Sequence, residues 1–186
     1  ETPITGPVLW CQAYNTLETK NINITGGNSK ECGALHYEYI SESLDTDFVT
    51  ISNVQGSYIF DLSDIGAYYD SDCDNKKGCV HSAEGNIQYS FSYYTFISNT
   101  VIPGSNPCII LINLLNSKDL DITFSNCYFY EAENNEKITL FHHYNLDNSG
   151  KLEHFSLTFS DSFIDLGEYT YYLHRFILFR PEYSDY

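Results

Sequence analysis

Apolar and polar residues alternate with period two along most of this chain. Ile87, Tyr89, Phe91 and Tyr93 fall on one phase, with Gln88, Ser90 and Ser92 on the other. Leu120, Ile122 and Phe124 alternate with Asp119, Asp121 and Thr123, and Phe155, Leu157 and Phe159 with Ser156, Thr158 and Ser160. A helix scatters such a set around its circumference, whereas a strand places it on one buried face with a wet face behind. After Phe124 the apolar phase slips by one residue, to Cys127 and Phe129, which predicts a β-bulge near Ser125-Asn126.

Further strands are expected at Val8–Tyr14, Asn21–Thr25, Ala34–Ile40, Phe48–Ser52, Tyr58–Leu62, Pro107–Asn113, Lys137–Tyr144 and Tyr169–Phe179. Turn-forming clusters separate them at Gly26-Gly27-Asn28-Ser29, Asn75 to Gly78, Pro103 to Asn106 and Asp147 to Gly150. Lys137–Tyr144 and Lys151–Ser160 read as a hairpin across the last of these. Only Thr16–Asn21 and Ile110–Leu120 leave room for a helical turn or two, and the β-branched residues of Ile109 to Leu115 favour a strand. About ten short strands at this spacing predict an all-β fold, an antiparallel β-sandwich, with a closed lipocalin-like barrel as the alternative. Without a linker, repeat or compositional break, residues 1–186 read as one domain with a loose tail at 181–186.

Charge narrows the partner. The 186 residues carry 9 Lys+Arg against 25 Asp+Glu, a formal charge of −16. A chain so acidic does not bind nucleic acid or an anionic membrane surface, both of which need a basic face. Its longest apolar runs, such as Cys108 to Ile112, are too short for membrane insertion. Cys11, Cys32, Cys73, Cys79, Cys108 and Cys127 are even in number and include no C-x-x-C pair, so disulfides are expected rather than zinc, with Cys73–Cys79 closing a local loop. The sequon Asn23-Ile24-Thr25 makes Asn23 a glycan acceptor. With a start at Glu1, Pro3 and Pro7 close behind and no signal sequence visible, a mature secreted chain is expected.

Candidate sites are weighed against ordinary structural roles. Asp70-Ser71-Asp72-Cys73-Asp74-Asn75 opens like a calcium loop, but Asn75 and His81 stand where an EF-hand needs Gly and Glu. His142 and His143 point to opposite faces of a strand, so with His154 and His174 they read as half-buried side chains and not as a metal site. Asp119/Asp121 and Glu131/Glu133 imitate paired carboxylates, yet their i, i+2 spacing is the wet face of a strand. No nucleophile elbow is present. No catalytic residue, metal or cofactor is therefore assigned, and the chain reads as a non-enzyme.

The residues that point to a partner are acidic and aromatic. Ten carboxylates and not one Lys or Arg lie between Glu31 and Asp74. The expected binding set there is Glu38, Asp45, Asp47, Asp61, Asp64, Asp70, Asp72 and Asp74 with Tyr37, Tyr39, Tyr58, Tyr68 and Tyr69. A field of one sign steers an oppositely charged partner, and tyrosine adds contact area and cation–π attraction. In size, charge, cysteine use and Asn/Tyr/Ser-rich style the chain resembles the acidic chemokine-binding proteins that parasites and viruses secrete, those of helminth eggs above all. That resemblance implies an extracellular decoy holding a small cationic signalling protein away from its receptor. The second reading is a lipocalin-like carrier of an apolar or aminergic ligand, although Gly6 and Trp10 are spaced too far apart for that family's G-x-W start. An adhesion or carbohydrate-binding module is the third.

Overall fold

The computed structural model of the chain describes residues 6–12, 16–38, 40, 43–65, 67–70, 79–82, 86–103, 107–114, 119–130, 140–145, 154–166 and 177–180. One set of strands is β1 (Leu9–Gln12), β3 (Cys32–Glu38), β5 (Tyr58–Ile65), β10 (Cys108–Leu114), β13 (Phe141–Asn145) and β16 (Ile177–Arg180). These form a parallel sheet in chain order, here called sheet I. The strands between them are β2 (Thr16–Asn28), β4 (Ser43–Gly56), β8 (Asn86–Ile97), β9 (Thr100–Val101), β11 (Asp119–Ser125), β12 (Tyr128–Tyr130), β14 (His154–Ser160) and β15 (Phe163–Asp165). They form a second parallel sheet, sheet II. The chain thus passes from sheet I to sheet II and back, and each pass stacks on the one before. The result is a parallel β-solenoid.

The expected antiparallel sandwich is therefore incorrect, and so is the closed barrel. Among the described residues the only antiparallel pair is the small hairpin of β6 (Ala67–Asp70) and β7 (Cys79–Ser82), inserted between β5 and β8. Neither large sheet closes on itself. Period-two alternation reports one buried and one wet face and is silent on the direction of the neighbouring strand. In a solenoid, parallel sheets too keep a solvent face. The proposed hairpin across Asp147 to Gly150 also fails: β13 lies in sheet I and β14 in sheet II. The two stretches allowed a helical turn are covered by β2, β10 and β11 where they are described.

Sheet II is bent along two columns of left-handed residues. Asn21, Phe48, Tyr93, Asn126 and Asp161 all have φ between 49° and 59°, and they stand at one level in successive coils. Gly26, Asn53 and Ser98 form the second column. Each such residue turns the strand and advances the pleat by one. Inward positions therefore run Leu44 and Thr46, then Val49 and Ile51, then Val54, and all five are buried. The phase slip after Phe124 is one rung of this column, at Asn126. Buried Asn99 pins the second bend, donating to the Ile51 carbonyl and accepting from the Val54 amide, each at 3.0 Å.

Aromatic rings fill the core in register. Phe91, Phe124 and Phe159 stack on successive coils at 4.7 and 5.4 Å, and Phe96 stacks on Phe129 at 5.0 Å. Polar groups inside are paired: Thr19 bonds the Tyr37 hydroxyl at 2.9 Å, Tyr94 bonds Thr46, and Tyr89 donates to the Ile40 carbonyl.

Candidate functional site

The outer face of sheet I carries a polar cluster across its first three strands. Register sets Trp10 beside His36 and His36 beside Asp61, with Gln12 beside Glu38 and Glu38 beside Ser63. His36 Nδ1 lies 2.8 Å from Asp61 Oδ2, and the Ser63 hydroxyl donates to both Asp61 oxygens at 2.9 Å. Trp10 Nε1 and Gln12 Nε2 donate to Glu38 Oε2 at 3.1 and 3.4 Å. His36 Nε2 faces that same oxygen at 3.9 Å, is closed to solvent, and has no hydrogen-bond partner. The Trp10 ring meets the imidazole edge-on at 5.2 Å.

A carboxylate-oriented histidine beside a serine invites comparison with a catalytic triad, but the connectivity differs. A nucleophile must reach the histidine nitrogen that the carboxylate leaves free. Here Ser63 binds the carboxylate, and the free nitrogen is covered. Asp61 is itself buried although its column faces outward. The cluster works as a clamp across three coils.

The outer face of sheet II differs in kind. Its described columns are rich in hydroxyls: Ser90, Thr123 and Thr158 in one, Ser92, Ser125 and Ser160 in the next, with Ser92 and Ser125 hydrogen bonded at 2.9 Å. Among the described side chains six carboxylates share this face, Glu18, Asp45, Asp47, Asp121, Asp161 and Asp165, against one ammonium, Lys20. Lys20 is engaged by Glu18 at 2.7 Å. That contact holds the Glu18 carboxyl below its usual range and pushes the Lys20 ammonium up, with smaller contributions from Asp47 and Asp45. Between these charges stand exposed rings. Phe48 and Tyr93 are 51% and 49% exposed and stack at 4.7 Å with 4° between planes. Tyr128 stacks on Phe163 at 5.0 Å and on Tyr130 at 6.1 Å.

The stretch from Glu31 to Asp74 does not form one face. Glu38 and Asp61 belong to the clamp, and Asp45 and Asp47 lie across the molecule on sheet II. Tyr37 is fully buried and Tyr58 half-buried. Asp64 is placed by its backbone in β5, and Tyr68, Tyr69 and Asp70 by theirs in β6. Tyr39, Asp72 and Asp74 lie outside the described residues. Asn23 is exposed on β2, its side-chain oxygen accepting from Thr25 at 3.1 Å.

Sequence reasoning missed Phe48, Tyr93, Asn126 and Asp161. Strict alternation puts Tyr93 on the inward phase of Tyr89 and Phe91, but the bend turns it outward and gives the core position to Tyr94. The available signal was the spacing itself, since inward residues shift phase at Val49, Tyr94 and Cys127 alike.

Cys11, Cys32 and Cys127, expected in disulfides, are free thiols in this structure, and Cys73 lies outside the described residues. Cys32 and Cys108 both stand opposite Tyr58 on its two flanking strands. Their Cα atoms are thus roughly two strand spacings, about 9.5 Å, apart, beyond the ~7 Å that a disulfide spans. Burial pushes the Cys32 thiol well up, and takes Cys127 to about 11.

No group of three or more metal-ligating side chains occurs among the described residues, and no helix there is long and apolar enough to cross a membrane. Searches of protein-family models, curated proteins and solved structures gave no match to this chain.

Proposed function

We propose that this protein is an extracellular, non-enzymatic binding module that captures a small basic protein on the outer face of sheet II. One observation carries the reading. At two rungs of the bend column, where other coils place Asn or Asp, the chain holds Phe48 and Tyr93 in left-handed backbone geometry and half exposed. A bulky residue there is strained by roughly 1–2 kcal/mol, which a purely structural bend avoids with Asn or Gly. Strain of this kind concentrates at functional positions. The surrounding carboxylates select a cationic partner, steering its approach through the long-range field. A chemokine-type signalling protein, the partner implied by the chain's general character, has the required charge, and capture on this face would withhold it from its receptor. The exposed Asn23 acceptor fits a secreted glycoprotein. The acidic face argued from Glu31–Asp74 is in this reading replaced by sheet II.

The test is a binding titration against a panel of small basic secreted proteins at low and physiological salt. Association with at least one is expected, with an on-rate that falls as salt rises because the screening length shrinks to about 8 Å. Failure to bind any of them at low salt overturns the reading.

A further inference from the structure

The exposed rings have a definite orientation. Phe48 and Tyr93 lie 4.7 Å apart with planes 4° from parallel. That separation is the strand spacing, so the ring normals run along the solenoid. One face of Tyr93 is covered by Phe48, and the opposite face looks toward the next coil. There the column places Asn126, short and exposed, and beyond it Asp161, also exposed. Tyr93 and Asp161 are therefore two strand spacings apart at their Cα atoms, about 9.5 Å, with only an Asn side chain between.

This notch has the dimensions of a cation subsite. A guanidinium within about 6 Å of a ring centroid gains cation–π attraction, and a charge-assisted hydrogen bond to a carboxylate spans a further 2.7–2.9 Å or so. The geometry points to Tyr93, Asn126 and Asp161 as a subsite for one arginine side chain of the partner, stacked on the free Tyr93 face with its edge toward the Asp161 carboxylate. A planar guanidinium suits a slot between a ring and a carboxylate better than a compact ammonium. Asn126 supplies an amide for the remaining donors. The subsite rests on the reading of sheet II as a cation-capturing face, and it names the group that this face selects.

The experiment uses the full chain and four probes: tetra-arginine, tetra-lysine and tetra-citrulline peptides, and neutral hexose oligomers. Y93N installs the residue that Asn21 and Asn126 carry at the same column, so its fold is expected to hold, checked by its thermal midpoint. D161N is likewise compatible with the left-handed position. E31Q, at an exposed carboxylate in the connection between β2 and β3 and away from sheet II, serves as the control. Wild type is expected to prefer tetra-arginine over tetra-lysine by a few-fold and to ignore tetra-citrulline. Y93N should weaken tetra-arginine binding roughly 5- to 30-fold, D161N about 3-fold with a shallower salt dependence, and E31Q less than about 2-fold. If wild type binds no cationic peptide or protein, the capture reading falls and the subsite with it. If tetra-arginine binds but Y93N and D161N leave its affinity unchanged, the subsite is overturned and the capture reading stands. Equal binding of tetra-citrulline, or binding of neutral hexose oligomers lost in Y93N, also overturns it, the latter in favour of a carbohydrate face.

Discussion

Aromatic stacks run along this solenoid both inside and out, and an inner and an outer one have nearly the same ring geometry. Phe91 and Phe124 lie 4.7 Å apart with 16° between planes; Phe48 and Tyr93 lie 4.7 Å apart with 4°. The first pair is fully buried and the second is half exposed. In-register parallel strands impose the spacing on any like residues of one column, so stacking alone says nothing of stability or function. Environment and backbone decide. The inner pair sits in extended strand and removes apolar surface from water, whereas the outer pair occupies strained backbone and leaves its surface wet. The largest predicted effect follows: Phe124→Ala should cost about 3–5 kcal/mol in urea unfolding, because it opens a cavity between Phe91 and Phe159. A loss below 1 kcal/mol would mean that the two stacks are energetically alike.

The clamp on sheet I tests whether outward position or burial governs. Asp61 faces outward by register yet is 2% exposed, with His36 as its close basic partner. Removing one member of a buried pair leaves the other uncompensated, so His36→Ala should destabilise by roughly 2–4 kcal/mol. Adding Asp61→Asn to that variant should return part of the loss. If the single and double variants are equally unstable, the pair carries no coupling and only its packing matters.

Strand content and the bend at Asn126 were legible because alternation and its slip are local properties of the sequence. Strand direction was not. Nor was the repeat: equivalent residues recur from Leu9 to Leu35 to Phe60, then only at Ile110, Phe141 and Ile177, because β6, β7 and unequal connections lengthen the later coils. Even cysteine number suggested bridges, but coil stacking separates Cys32 from Cys108 by an intervening strand. The acidic run from Glu31 to Asp74 looked like one face because it is continuous in sequence. A solenoid sends successive strands to different faces, so Asp45 and Asp61 part company while Asp47 and Asp161 share a face. Tyrosine counts could not distinguish Tyr94 from Tyr93, neighbours whose fates the bend decides.

The interior stack also sets an alkaline limit that the outer one does not. Burial raises the Cys32, Cys127, Tyr37 and Tyr94 groups, with Cys127 at about 11. These groups are neutral when protonated, and the unfolded chain releases their protons at lower pH than the folded one. Stability is therefore full below the ordinary thiol range and falls as pH climbs through it toward the raised values. For Cys127 alone the loss should reach on the order of 2 kcal/mol near pH 11. Urea midpoints from pH 7 to 11 measure it, and Cys127→Ala should flatten the slope. A midpoint constant across that range would contradict the burial of these groups.

The smallest effect separates the stacks by sign. Phe48→Asn places at a left-handed position a residue that tolerates it, as Asn21 and Asn126 already do in the same column. It gives up the contact with Tyr93, an exposed stack whose net contribution is about 0.5–1.5 kcal/mol. It also relieves strain of roughly 1–2 kcal/mol. The two nearly offset, so the variant should be as stable as wild type or more stable by up to about 1 kcal/mol, whereas any large-to-small change in the inner stack is strongly destabilising. Partner binding should fall in the same variant, because Tyr93 loses the ring that fixes its orientation. A stable variant with weakened binding is the signature of residues kept for recognition. A destabilisation above 2 kcal/mol would assign the outer stack to the fold instead.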